Sequence, residues 1–347
     1  MGNQAWPCGD GRRRRKPSGR ATATVLSIAA ALTLAACGSD DGAGSGTGGG
    51  GALSGKKLAI VMPESVPGYS KQIGCGAFDE GRKLGFDVSP PQGPSKSQDA
   101  AEQAQVLQSA LARNPDGLIY SAVDPKAGSV AIKPAVAQGL PVVTADVPLA
   151  DASLSISFIS SDHEAGGKLG GELLAKQIGE RGQVVAIGVI PSHPITRGRI
   201  AGFRAAMAEF PGIDVVGIKY PDLDVNKIAA EAAALLNRYP DLKGIYTSND
   251  LVASGVATAL RQTQKVGKVK VITWDLQPVG IKLLREGSVT GSVVQRPREE
   301  GRMAVRQIAN ELTGKPVTKT LTPPISTVSN DQIDSPKTKA LYYSNPC

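Results

Sequence analysis

Histidine is almost missing from this chain. Among 347 residues there are two, His163 and His193, in unrelated stretches, so no metal site with the usual ligand spacing is expected. Aromatic residues make up 4% of the chain, and Ala, Val, Ile and Leu supply its apolar content. That composition disfavours a β-sandwich and favours helices packed on parallel sheets. Motifs that would announce an enzyme are also absent. There is no HExxH pair, no GxSxG turn, no GxxxxGK[ST] loop and no CxxC pair. No cofactor is expected, and binding without chemistry is the favoured class; a secreted α/β enzyme is a weaker alternative.

Long apolar runs are scarce too. Thr22–Ala35 is the most apolar stretch and is shorter than the ~20 residues a membrane-spanning helix needs. It follows Arg12-Arg13-Arg14-Arg15-Lys16 and Arg20, and it ends in small residues. A basic start, an apolar middle and small residues at the cut describe a secretory signal over 1–36. The next residue is Cys37, and Leu34-Ala35-Ala36-Cys37 resembles the bacterial lipobox, whose Cys is lipidated and becomes the first residue of the mature protein. A plain secretory signal is the alternative. The lipoprotein reading implies an extracytoplasmic protein held to the cell membrane through acyl chains, since several chains anchor far better than one.

The net charge of +8 is misleading. Six basic residues and Asp10 lie within 1–36, which leaves about +3 for the rest, too little to argue for nucleic acid. Of four cysteines, Cys8 leaves with the signal and Cys37 is the lipidation candidate. Cys75 and Cys347 either pair, pinning the C-terminal tail to the first helix, or stay as unrelated thiols.

Residues 37–55 read as a Gly-rich tether. Beyond it, short apolar runs alternate with helical patterns: Lys57–Met62, Asp116–Tyr120 and Leu140–Ala145 as strands, then Gln183–Ile190, Leu242–Thr247 and Val269–Trp274 as a second set. The expected fold class is α/β, with two doubly wound, Rossmann-like lobes joined by a hinge of several crossings. The first lobe is expected over 56–161 plus 296–323 and the second over 162–295 plus 324–347.

Ligands of open parallel sheets sit beyond the carboxyl ends of the strands. The residues found there are Tyr69, Asp146, Arg197, Asn249, Trp274, Asp275 and Gln295. Carboxylates and amides bond paired hydroxyls, an Arg donates in a fixed fork, and a ring offers an apolar face. Each has a plainer reading. Asp146 and Asp275 could cap helices, Asn249 could serve a turn with Asp250 as the cap, Trp274 could be core, and Gln295 could bond hinge backbone.

The segments "PVVTAD" ending at Asp146, "ISSDHEAGGKLGGELLAKQIG" at 159–179, "TRGRIAGF" at 196–203, "YTSND" at 246–250, "ITWD" at 272–275 and "VVQRP" at 293–297 resemble the type I periplasmic binding proteins of the ribose/galactose class. The resemblance covers about residues 57–328. It implies a monomer that closes two lobes over a small ligand and presents the closed form to ABC permease subunits. It also implies that Asp146, Arg197, Asn249, Asp275 and Gln295 bond sugar hydroxyls and that Tyr69 is a stacking aromatic. Val147 stands where ribose binders carry Arg, and Gly68 where they carry an aromatic, so another pentose, a polyol or a small non-sugar polar ligand fits the departures. A sensory binding protein for a non-sugar molecule is the alternative.

Overall fold

The structure, a computed structural model, describes residues 51–347 apart from 66, 67, 97, 98 and 346. Residues 1–36, Cys37 and tether residues 38–50 lie outside the described residues. Among the described residues no helix is long and apolar enough to cross a membrane.

Strands and helices alternate from Lys57 onward. The first lobe runs β1 (Lys57–Val61), α1 (Tyr69–Lys83), β2 (Asp87–Val88), α2 (Ala100–Leu111), β3 (Gly117–Tyr120), α3 (Pro125–Ala137), β4 (Val142–Ala145) and β5 (Ser157–Ile159). The second runs α4 (His163–Gln177), β6 (Gly182–Ile187), α5 (Pro194–Ala208), β7 (Ile213–Lys219), α6 (Val225–Arg238), β8 (Gly244–Thr247), α7 (Asp250–Gln262), β9 (Lys270–Trp274), α8 (Pro278–Arg285) and β10 (Gly291–Val294). Then come α9 (Pro297–Leu312), β11 (Thr320–Leu321), β12 (Ser326–Ser329) and α10 (Pro336–Lys339). Two six-stranded sheets result, ordered β11-β5-β4-β3-β1-β2 and β12-β10-β9-β8-β6-β7. All pairings are parallel except β10 with β12. Central strands such as β3, β4, β8 and β10 are buried along their whole length, because helices cover both faces of each sheet.

The sheet orders show that the lobes repeat one plan, with β4 matching β9, β5 matching β10 and β3 matching β8. The helices repeat it as well. α1 packs on α9 in the first lobe, and α5 packs on α4 in the second. Both pairs meet at glycines. A Cβ on Gly76 would lie 2.0 Å from the Arg298 carbonyl, and one on Gly301 2.0 Å from that of Ile73. In the other pair, Gly202 would meet the Glu164 carbonyl at 1.9 Å and Gly167 that of Arg199 at 2.2 Å. In all four cases the carbonyl belongs to the residue three positions before the opposing glycine. Gly301 therefore matches Gly167, and Gly76 matches Gly202.

The chain passes between the sheets after β5, after β10 and between β11 and β12. The segment 324–347, expected wholly in the second lobe, divides. β12 joins the second sheet, and the Tyr343 N–H donates to the Leu276 carbonyl at 3.0 Å. Gln72 on α1 then donates to the carbonyls of Tyr343 (2.9 Å) and Asn345 (2.8 Å). Cys347 is joined to Cys75 of α1, with Cα atoms 5.2 Å apart, inside the span that disulfides bridge. The end of the chain is thus a strap that touches both lobes.

Candidate functional site

The site forms where the carboxyl ends of the two sheets face each other. Asp146 (φ 65°) directly follows β4 and Asp275 (φ 75°) directly follows β9, at matching places in the two lobes. Their backbones are held alike: the Asp146 N–H donates to Ile159, and the Asp275 N–H to Val293, both at 2.8 Å. Serine hydroxyls donate to their carbonyls, from Ser160 at 3.1 Å and Ser292 at 2.9 Å. A left-handed conformation costs an ordinary residue free energy, and these backbone bonds hold it. Neither Asp caps a helix, so the plainer reading of both is excluded.

Asp275 is buried, and its Oδ1 accepts from Gln295 Nε2 at 2.7 Å and from the Tyr343 hydroxyl at 3.1 Å. Gln295 Oε1 in turn accepts from the Tyr69 hydroxyl at 3.1 Å. Tyr69 also donates to Glu300 Oε1 at 2.6 Å. One connected network therefore runs from α1 and α9 of the first lobe to Asp275 of the second. Gly68 lies directly against Gln277 of α8's entry, where a Cβ would come 2.9 Å from Gln277 Oε1, so the lobes are closed on each other here.

Arg199, not Arg197, is the cleft arginine. Arg197 is exposed on α5, whereas Arg199 is 6% exposed and lies over the Trp274 ring, 3.8 Å from its centroid. Its Nη1 donates to the Ser248 carbonyl at 2.6 Å, and its buried Nε has no partner. Two residues along a helix turn the side chain by about 200°, so only one of this pair can face the cleft. Trp274 is likewise corrected. It is fully buried in the core between β9 and α4, its Nε1 donates to the Tyr246 hydroxyl at 2.6 Å, and Arg199 covers its face. It offers no wall to a ligand.

Asn249, not Asp250, is the cap of α7, its Oδ1 accepting from the Val252 N–H at 2.9 Å, which leaves its amide N–H groups to donate. Asp250 is 3% exposed, with Oδ1 accepting from Gln277 at 3.2 Å and Oδ2 unpartnered.

Glu300 and Tyr343 are site residues that the sequence analysis does not single out, while Asp250 is expected there as a cap and Arg199 stands beside the expected Arg197. Glu300 is fully buried; Ser161 donates to its Oε1 at 3.0 Å, and Oε2 has no partner. Its signal was present, since it shares the i, i+4, i+8 stripe of Ala304 and Ile308 on α9. Asp250 carried a weaker one, next to a better cap. Tyr343 carried none, because a residue in a polar tail reveals nothing of where the tail docks.

Electrostatics follow from burial. Glu300 is driven well above the usual carboxylate range by burial, with the Asp146 charge adding. Asp250 rises to about 7 by burial, with Asp275 adding. Asp146 rises to about 6 by burial; Arg199 opposes the rise, and Asp275 and Glu64 add to it. His163, beside the same cleft, falls to about 2 by burial and by the nearness of Arg199, so its imidazole is neutral. Among the described residues no group of His, Cys, Asp and Glu is arranged to hold a metal. The arrangement suits a small polar guest: carboxylates that accept, amides that do both, and one guanidinium that donates.

The profile of the periplasmic binding protein domain family matches residues 58–316. The chain is 29% identical over 268 residues to the ribose import binding protein of Escherichia coli K12, covering 77% of this chain and 88% of that one. It is 27% identical over 222 residues to the D-ribose/D-allose-binding protein of Pseudomonas aeruginosa, covering 62% and 69%. Among solved structures it resembles an ABC transporter solute-binding protein from Agrobacterium vitis bound with alpha-D-tagatopyranose, with TM-score 0.75, 25% identity and coverage of 84% and 100%. It also resembles the arabinose-binding protein AraP from Geobacillus stearothermophilus, with TM-score 0.75, 25% identity and coverage of 81% and 98%. A family match over most of the chain, with two parallel-sheet lobes closing on polar strand ends, leads to one conclusion: this chain belongs to the periplasmic binding protein domain family.

Proposed function

We propose that this chain is the extracytoplasmic, lipid-anchored solute-binding protein of an ABC importer, and that it binds a sugar or polyol between its two lobes as a monomer. The observation that carries the reading is the pair Asp146 and Asp275. They stand at the same place in the two lobes, are held alike, and lie close enough for the charge of one to act on the other. A guest with several hydroxyls bonds both at once. It therefore stabilises the closed arrangement by its differential affinity, and the closed arrangement is what permease subunits would recognise. The names of the relatives, which bind or import ribose, allose, tagatose and arabinose, support the ligand class. Asp275, Arg199, Asn249, Gln295, Asp146 and Tyr69 are the proposed contacts.

Thermal unfolding against a panel of pentoses, hexoses, polyols, amino acids and nucleosides tests it, because a ligand raises stability by mass action. The expected outcome is a carbohydrate hit that Asp275→Ala abolishes; hits confined to non-carbohydrates overturn the ligand class. The proposed anchor is tested by Cys37→Ala, which should move the protein out of the membrane fraction. For the Cys75–Cys347 link, thiol titration of denatured, unreduced protein should find neither thiol free.

A further inference from the structure

Acidic groups outnumber basic ones around the cleft, and burial holds Glu300 and Asp250 toward their neutral forms. Three elements of the first lobe bring carboxylates to it: Glu64 after β1, Asp146 after β4, and Glu300 on α9. The second lobe adds Asp250 and Asp275. Against these five stands one guanidinium, Arg199, which acts on Asp146 and Asp250. Arg199 is turned to the Ser248 carbonyl and the Trp274 face rather than to a carboxylate. His163 and His193 are the other basic side chains near Arg199, and burial holds both toward the neutral form. Among the described residues no ion pair involves Asp146, Asp250, Asp275 or Glu300.

Two of these acids are also incompletely bonded. Glu300 is fully buried and Asp250 is 3% exposed; Oε2 of the one and Oδ2 of the other accept no close hydrogen bond, and the backbone acts on these carboxyls only through the Ser161 N–H for Glu300 and the Asp250 and Leu251 N–H groups for Asp250. A neutral sugar needs no such surplus, because a hydroxyl is satisfied by a neutral amide as well as by a carboxylate. A buried carboxyl without a cation resists ionising, and a cationic ligand group beside it would draw it to the charged form. The lobe comparison puts the excess on one side. Glu300 on α9 matches Gly166 on α4, so the second lobe has no carboxylate at that place. We infer that the ligand carries a positively charged amine beside its hydroxyls, as an amino sugar or amino polyol does, and that the amine sits on the first-lobe side, against Glu300, Asp146 and Glu64. This rests on the reading of the cleft as a carbohydrate site.

Calorimetry on the purified full chain at pH 7 tests it with matched probes: D-glucosamine, D-galactosamine and D-mannosamine against D-glucose, D-galactose and D-mannose, with choline and spermidine as cations lacking a sugar ring. The expected result is at least one amine bound ~10-fold or more tightly than its neutral parent, as a charge-assisted bond allows. Glu300→Gln, which keeps an acceptor for Tyr69 and Ser161, should narrow that ratio. Glu64→Gln, on a loop away from the core, should narrow it less. Binding of the neutral parents as tightly as the amines, or a ratio unchanged in both variants, overturns the inference and leaves the carbohydrate reading in place. Binding of choline or spermidine with no carbohydrate bound keeps the charge inference and overturns the reading beneath it. Silence from every amine, with a pentose, hexose or polyol bound in the wider panel, overturns the inference alone; silence from that panel as well overturns both.

Discussion

The two lobes share strand order, glycine-packed helix pairs and an aspartate after the matching strand, yet they fill the space beneath that aspartate differently. In the first lobe the residue before Asp146 is Ala145, and α9 brings the buried Glu300. In the second the residue before Asp275 is Trp274, and α4 has Gly166 at the position of Glu300. A Cβ on Gly166 would come 2.4 Å from the Trp274 ring. Small residue and acid on one side, large ring and glycine on the other, solve the same packing problem. The consequence is chemical: the first lobe offers a carboxylate, and the second offers a ring that seats Arg199. A repeated scaffold has thereby acquired an acidic jaw and a jaw that carries the site's guanidinium.

The strongest way to break this comparison is Trp274→Ala. It should lower stability by ~3–5 kcal/mol, as large-to-small core changes do, measured by urea unfolding. Adding Gly166→Leu should restore part of that loss if the two positions trade volume; no recovery would count against the exchange. Next in size, Arg199→Ala should weaken ligand binding by about 2 kcal/mol, roughly 30-fold. Arg197→Ala should stay within about twofold by calorimetry. Equal effects of the two substitutions would remove the distinction drawn between them.

A pH titration sharpens the comparison at Asp250, buried in the second lobe, where the matching turn of the first lobe carries the exposed cap Asp124. The folded pKa of Asp250 lies at about 7, above that of the unfolded chain. Folding therefore binds a proton there, and this stability is present below about pH 4 and lost as pH rises through about 7. Ligand-free protein should lose up to about 4 kcal/mol across that window from this group, and Asp250→Asn should flatten the slope. The smallest effect is expected at the strap. Tyr343→Phe removes a bond to Asp275 and the acceptor of the buried Gln295 N–H, and should weaken binding and lower stability by about 1 kcal/mol each, read by calorimetry and urea unfolding.

Much of this was legible before any coordinates. Alternation of apolar runs and helical patterns predicts two doubly wound lobes, and both sheets are there. The residues after strands are the candidates for the proposed site because parallel sheets leave only their tips free to meet a ligand. Within that list, side-chain direction was not legible. Arg197 and Arg199 are equivalent in sequence pattern, and only the packing of α5 on α4 chooses between them. Trp274 shares a strand face with Ile272, which points it at α4. A residue next to a charged strand tip looks like a cleft wall until the helix above it is placed.

Chain order and local periodicity by themselves determined the class of fold, the pairing of the lobes and the strand ends that carry Asp146, Asn249, Asp275 and Gln295. Those features depend on spacing along the chain, which a sequence records directly. Tertiary structure alone decided that Arg199 enters the cleft, that Glu300 and Asp250 are buried with free oxygens, and that Tyr343 reaches Asp275 from the tail. Each of these depends on which distant segment fills a given space, and close packing settles that only once both lobes and the strap are in place.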